Sequence, residues 1–227
     1  MKKILIGFVL IFAVIVPQTF AQKKNKIDTG IHFGILGGGG MQTIAGKDYW
    51  GERLENKLKP GFHAGGNVML SIFPDFWFQP GILFSVKGAR QDIITDDITK
   101  TVNLSYIEVP LYLLYRPQLG DGHLLFGLGP YGGYGVYGRE RIKSGTITTE
   151  LIVKFLADAS EQPTTYVYYR GLDAGVNALA GYEFYNGIFL QMNGQIGLLK
   201  VNSDYGLPND KTSKKNLGFG LSVGYRF

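Results

Sequence analysis

Bulky apolar residues fall on alternate positions along most of the chain, the period of a strand with one apolar face. Residues 216–227 show it most clearly. Leu217, Phe219, Leu221, Val223, Tyr225 and Phe227 alternate there with Gly218, Gly220, Ser222, Gly224 and Arg226. The same alternation recurs upstream, for example in Ile31, Phe33 and Ile35, in Ile107, Val109, Leu111, Leu113 and Tyr115, and in Leu190, Met192 and Ile196. It predicts eight strands, near 30–41, 60–73, 76–88, 103–116, 122–137, 168–184, 187–200 and 216–227.

The connections alternate in length. Short ones lie at Pro74-Asp75, at Pro117 to Gly122 and at Tyr185-Asn186-Gly187, and long polar ones cover 42–59, 89–102, 138–167 and 201–215. Outer-membrane barrels sort their loops in this way, with short periplasmic turns and longer extracellular loops. An even strand number then puts both ends of the barrel domain on the short-turn side. The set opposite the apolar one decides which face looks inward. It is rich in glycine and uncharged amides, such as Gly171, Gly175, Asn177, Gln191, Asn193 and Gln195. A water-facing surface would carry many lysines and glutamates, whereas small and hydrogen-bonding groups suit a crowded barrel interior. The bulky set therefore faces lipid. Aromatics near strand ends fit two interfacial girdles. Phe76, Trp77, Tyr115, Tyr182, Phe184, Tyr225 and Phe227 belong to the short-turn side, and Tyr134, Tyr137, Tyr166 and Tyr168 to the long-loop side. The expected fold is all-β: an eight-stranded antiparallel up-and-down transmembrane β-barrel.

The first residues add a destination. Lys2 and Lys3 precede an apolar run from Ile4 to Val16, then Pro17 and Thr19-Phe20-Ala21, which reads as a signal peptide over 1–21 cleaved before Gln22. The run is shorter than the roughly 20 residues of a spanning helix. A short lead, 22–29, would follow, then the barrel domain, 30–227. The chain has no cysteine, which excludes disulfides, lipid attachment and thiolate chemistry. Its formal charge of +5 falls to about +3 once Lys2 and Lys3 are removed, too little to argue for nucleic acid. No cofactor is expected.

Charged residues on the inward phase form the candidate site. Lys87 lies near the outer end, Glu108 and Asp173 in the upper half, and Arg116, Glu183 and Arg226 near the periplasmic end. Unpaired charges in a narrow lumen are costly, so these acids and bases should pair. The network is either a structural plug or a gated polar path. Pro110, beside Glu108 and Val109, cannot donate to a ladder and favours an irregular position. Of the three histidines, only His63 falls in the lumen near the outer end, where Asp173 could approach it to make a hydrolase. GILGGGG (34–40) has the glycines of a phosphate loop but no helix after it. Asp92, Asp96 and Asp97, and Asp204 with Asp210, lack the ordered spacing of a calcium loop. The apolar patch ELIVKFLADA (150–159) would extend the strands, cap the mouth or present a docking surface.

Six ordered stretches carry a family resemblance: GFHAGGNVMLSIFPDFWFQPGILFSVKGAR, YIEVPLYLLYR, GLGPYGGYG, GLDAGVNALAGYEF, FLQMNGQIGLLKV and LSVGYRF. Together they resemble the PorT-like outer-membrane β-barrel domain abundant in Bacteroidetes. The resemblance implies an eight-stranded barrel placed in the outer membrane by the assembly machinery, which reads the terminal aromatics Tyr225 and Phe227 as part of its signal. It implies no single activity.

The sequence thus leads to a non-enzymatic integral outer-membrane barrel with a structural or surface-interaction role and at most a narrow pore. It would be a monomer in contact with lipid and lipopolysaccharide. The alternatives are an accessory that docks a secretion or envelope protein, with loop 138–167 as the candidate surface, and a surface hydrolase built on His63 and Asp173.

Overall fold

The computed structural model describes residues 30–93 and 98–227. The expected signal peptide and lead, and Asp96 and Asp97, lie outside the described residues. One sheet contains β1 (Ile31–Lys47), β2 (Lys59–Phe73), β3 (Phe76–Ile93), β4 (Ile98–Tyr115), β5 (Gln118–Leu119), β6 (Gly122–Ser144), β7 (Ile147–Phe155), β8 (Val167–Tyr169), β9 (Leu172–Glu183), β10 (Ile188–Gly197) and β11 (Ser213–Arg226).

The pairings close on themselves. From β4 the ring passes through β3, β2, β1, β11, β10, β9 and β6, and β6 pairs again with β4. Every pair in this eight-membered ring is antiparallel, and no strand within it is left as an open edge over its central length. The closing seam is β1 on β11, with Gly34 opposite Arg226 and Lys47 opposite Ser213. Gly40 faces Gly220 there, and a Cβ on Gly40 would stand 2.1 Å from the Phe219 carbonyl oxygen. Gly38 and Gly40, the inward members of the run 37–40, therefore serve close strand approach, in keeping with the absence of a following helix. Short turns use left-handed residues, Asp75 at φ 64° and Gly187 at φ 83°.

The observed strands run several residues past the expected ends at the long-loop side. β1 continues to Lys47, β3 to Ile93 and β6 to Ser144, while β4 begins at Ile98. Both faces there carry polar residues, as in Thr99-Lys100-Thr101, so the alternation fades although the ladder continues. The stretch 138–167 is not one loop. It holds the outer part of β6, then β7, which folds back along it with Gly138 opposite Val153, and then β8, parallel to β7. Residues 150–155 of the apolar patch thus extend the wall. Near Tyr169 the wall continues through residues 201–202: Arg170 N–H donates to Val201 O (2.8 Å) and Val201 N–H to Lys214 O (2.8 Å).

A bulge explains where the inward phase breaks. Ser105 pairs with Tyr137, but Tyr106 pairs with Gly135, so Val136 is the extra residue. Val136 and Tyr137 both face outward, and beyond them Gly138 and Glu140 point in. Pro110 causes no register shift, yet the β3–β4 ladder is interrupted there, passing from Leu83–Glu108 to Pro80–Leu111 with no pair at Val109 or Pro110, while the extra residue lies at Val136. Two girdle assignments also change. Trp77 is 3% exposed and Tyr168 4%, so both are interior residues. Strand ends attract aromatics to either face, and the phase decides which.

Two apolar clusters fill the ring. Toward the short turns lie Met69, Trp77, Tyr112, Leu114, Leu125, Leu179 and Phe189, with Leu36 against them. Toward the long loops lie Ile44, Ala89, Val102, Leu104, Tyr106, Val153, Tyr169 and Val201, with Phe155 and Val167 against them. Gly135 makes room for Phe155, whose ring would come within 2.3 Å of any Cβ there.

Candidate functional site

All six inward charges named from the sequence are buried in the ring. They fall into two groups. In the first, Lys87 Nζ forms ion pairs with Glu108 and, at 3.0 Å, with Asp173. β3, β4 and β9 supply these residues, and Gly133 of β6 lies opposite both Glu108 and Asp173. Asp173 also accepts bonds from Tyr131 Oη (3.2 Å) and Asn216 Nδ2 (2.8 Å), while Gln195 Nε2 donates to Glu108 at 3.3 Å. The Lys87 ammonium stands 4.5 Å from the Tyr131 ring centroid and 5.3 Å from that of Tyr106. One cation and two anions leave this group a formal charge of −1.

The second group lies toward the short turns. Glu183 bridges two guanidiniums, accepting from Arg116 Nη2 at 2.6 Å and from Arg226 Nε at 2.9 Å. Arg226 also donates to Asn67 Oδ1 (2.9 Å) and Gln79 Oε1 (3.4 Å). Its guanidinium carbon lies 5.0 Å from the Phe189 ring centroid, and that of Arg116 5.6 Å from the Trp77 centroid. Both arginines thereby lay their flat faces on interior rings, and Arg226 also spends its donors there, whereas the buried Arg116 Nε has no hydrogen-bond partner.

Asn67, Gln79, Tyr131 and Asn216 were not singled out from the sequence, although each shares the inward phase of its strand, and Gln195 was read as inward filler without a partner. The signal was present in that phase, but only the tertiary structure shows which polar residues meet across the lumen.

Between the groups lies a cavity of mixed lining, where His63, Glu108 and Gln191 stand beside Leu36, Leu83 and Tyr112. The expected approach of His63 to Asp173 does not occur, because Lys87, Tyr131 and Asn216 already engage that carboxylate. His63 Nε2 instead meets Ser222 Oγ at 2.6 Å, and Asn193 Nδ2 donates to the same hydroxyl at 2.5 Å. His32 lies on the inward phase with its ring 5.3 Å from Trp77. His123 belongs to the short-turn end, where it pairs with Gln118 in the ladder.

The loop acids have other duties. Asp92 takes Lys57 Nζ at 2.5 Å and Arg90 Nε at 3.1 Å, and Asp204 and Asp210 accept the backbone N–H groups of Gly206 and Thr212. At the chain end, Tyr225 and Phe227 project outward and stack edge to face at 5.0 Å, and Phe227 N–H donates to Phe33 O at 2.8 Å.

Solved structures match the chain at low identity. Ail, the attachment invasion locus protein of Yersinia pestis, is 14% identical, with 86% of this chain and 98% of that chain covered at a TM-score of 0.41. Neisserial surface protein A is 11% identical, with 87% and 99% covered at a TM-score of 0.44. A comparison with the curated proteins finds no match. The family model described as the outer membrane protein beta-barrel domain matches residues 20–203, most of the chain, so this protein belongs to that family and resides in the outer membrane.

Proposed function

We propose that the protein is a closed, non-enzymatic eight-stranded up-and-down barrel of the PorT-like branch, with a structural or surface-interaction role in the outer membrane. The observation that carries this reading is the stacking inside the ring. An apolar cluster stands at each end of the lumen, and the buried charges between and beside them are spent on one another. An interior of this size is just filled by side chains. The short-turn end would face the periplasm, with Tyr225 and Phe227 at that interface, and 30–227 would be the barrel domain after removal of 1–21. His63 and Ser222 lie between the clusters, away from bulk substrate, which favours a structural role for them.

Planar bilayers test the proposal. The purified protein should show no steady conductance, and substitutions in the central network, Lys87→Met or Glu108→Gln, should not create one. A stable single-channel current in the unmodified protein, altered by either change, would replace the closed barrel with a conducting path.

A second reading, an accessory that docks an envelope protein, rests on the β6–β7 hairpin. It stands beyond the apolar belt and exposes Ile147 at 70% and Ile152 at 55%. A photo-crosslinker at Thr148 should then capture one defined protein in intact cells. Capture of lipopolysaccharide alone would remove this reading.

A further inference from the structure

A pocket at the long-loop end lies apart from the lumenal networks. β4, β6, β8, the β1–β2 connection and the β10–β11 connection all contribute to it. Its aromatic walls are Tyr49, Tyr168, Tyr169 and Tyr205. Three of these tyrosines have their hydroxyls tied to backbone. Tyr49 Oη donates to Pro208 O (2.7 Å), Tyr168 Oη donates to Pro163 O (3.1 Å), and Tyr205 Oη accepts from Tyr168 N–H (3.2 Å). The hydroxyls therefore fix the rings, and the rings are what the pocket offers. Tyr168 and Tyr205 stand edge to face at 6.4 Å.

The polar groups are of both signs and are incompletely used. Glu140, 2% exposed, takes Lys100 Nζ on Oε1 at 2.7 Å, while its buried Oε2 has no hydrogen-bond partner. Lys214 Nζ lies 5.8 Å from the Tyr169 ring centroid, and no hydrogen-bond or ion-pair acceptor holds it among the described residues. Burial pulls the Lys214 pKa down and Lys100 adds to this, while Glu140 and Asp210 oppose it. Two ammoniums and two carboxylates, those of Glu140 and Asp210, make the lining neutral overall. It asks for a ligand that can accept from a lysine, donate to a carboxylate and lay an apolar face on tyrosine rings. Such a composition, aromatic walls with a few converging polar groups, is that of a small-molecule site.

We propose that this pocket binds a saccharide. A pyranose meets all three demands at once. Its hydroxyls both donate and accept, which suits Glu140 and Lys214, and its C–H faces are apolar enough to lie on Tyr205 and Tyr168. The same chemistry has two sources: the sugar chain of lipopolysaccharide in the same membrane, or a soluble glycan outside the cell. The assignment goes beyond the closed-barrel reading and does not depend on it, because conductance leaves the pocket untouched.

Trp50 provides the readout. It packs on Tyr49 with ring centroids 4.9 Å apart, and Trp77 is the only other tryptophan in the chain. The full mature chain carrying Trp77→Phe, refolded in detergent and checked by heat-modifiable migration, therefore reports through Trp50 alone. It would be titrated with oligosaccharide released from the cells' own lipopolysaccharide, and separately with maltohexaose, cellohexaose and chitohexaose. Saturable change in Trp50 emission with at least one saccharide is expected, weakened roughly tenfold or more by Tyr205→Ala and by Lys214→Met. Lys214→Arg should retain binding, which separates a lost donor from a lost fold. Saturation by the lipopolysaccharide fragment alone assigns the ligand to the membrane, and saturation by a soluble hexaose assigns it to the surroundings. No saturable response to any of the four, or equal responses in the two weakened variants and their parent, overturns the proposal.

Discussion

The two ends of the ring carry apolar clusters built by the same physics from different parts of the chain. The short-turn cluster, centred on Met69, Trp77, Leu114 and Phe189, is drawn entirely from ring strands. Its neighbours Arg116, Glu183 and Arg226 come from the same strand ends. The long-loop cluster takes Ile44, Ala89, Val102 and Leu104 from ring strands, but Val153, Tyr169 and Val201 from segments that fold back or cross over. The first plug is local to the strands that build it. The second exists only if β7 and residues 201–202 arrive in register. Packing therefore rests on the ring strands alone at one end and on long-range pairing at the other.

The comparison is most exposed at Glu183. Its replacement by alanine leaves Arg116 and Arg226 buried without a counter-charge, which should cost about 3–5 kcal/mol. Urea unfolding followed by tryptophan emission would measure it, and Glu183→Gln should lose less because the amide oxygen still accepts. A negligible loss would mean that water already solvates this end and that the plug is not sealed. Next comes Phe189→Ala, which removes a fully buried ring under Arg226 and should cost about 3 kcal/mol in the same assay. Phe155→Ala, at the long-loop end, should cost less, about 1–2 kcal/mol, since the side chain is half-buried and borne on a hairpin. If Phe155→Ala proved the more damaging of the two, the ranking of the plugs would be reversed.

The smallest effect concerns the hairpin surface. Glu150 joins Arg141 at 2.5 Å and Arg139 at 3.3 Å, and the Arg141 hydrogen bond and charge, helped by Arg139, hold its carboxyl below the usual range. The sign follows from linkage. A depressed folded pKa contributes stability that is present above the unfolded value and is lost as pH falls through the folded one. The hairpin should thus stay joined in mild acid and loosen only in stronger acid, with little change in global stability because the pair is exposed. A carboxyl-carbon NMR titration of Glu150 reads this directly, and an ordinary glutamate midpoint would show that the hairpin surface is not electrostatically tied.

Much of this was legible in the chain before folding. The outward stripe, from Phe33 and Ile35 to Leu221 and Val223, follows from a period of two, because a strand has only two faces. The burial of Lys87, Glu108, Arg116, Asp173, Glu183 and Arg226 follows from the same period. The girdle rule misplaced Trp77 against the phase of its own strand, and Tyr168 lies inward although the even phase of its segment points out, since an aromatic residue near a strand end suits an interface or a plug equally well. Phase also failed past Val136, where a single extra residue exchanges the faces of β6. No property of that residue marks it as a bulge; the pairing of Ser105 and Tyr106 with opposite sides of it does.

Along each strand's regular stretch, the amino-acid sequence by itself determined which residues turn outward and which turn inward, because that choice is made strand by strand through local geometry. Only the tertiary structure decided the partners. Asp173 went to Lys87 rather than His63, Glu183 was shared between two arginines, β7 extended the wall, and four tyrosines from three distant segments met in the pocket that holds Lys214. Those outcomes depend on strand order, register and stagger around a closed ring, which bring residues more than a hundred positions apart into contact and leave no trace in any one strand.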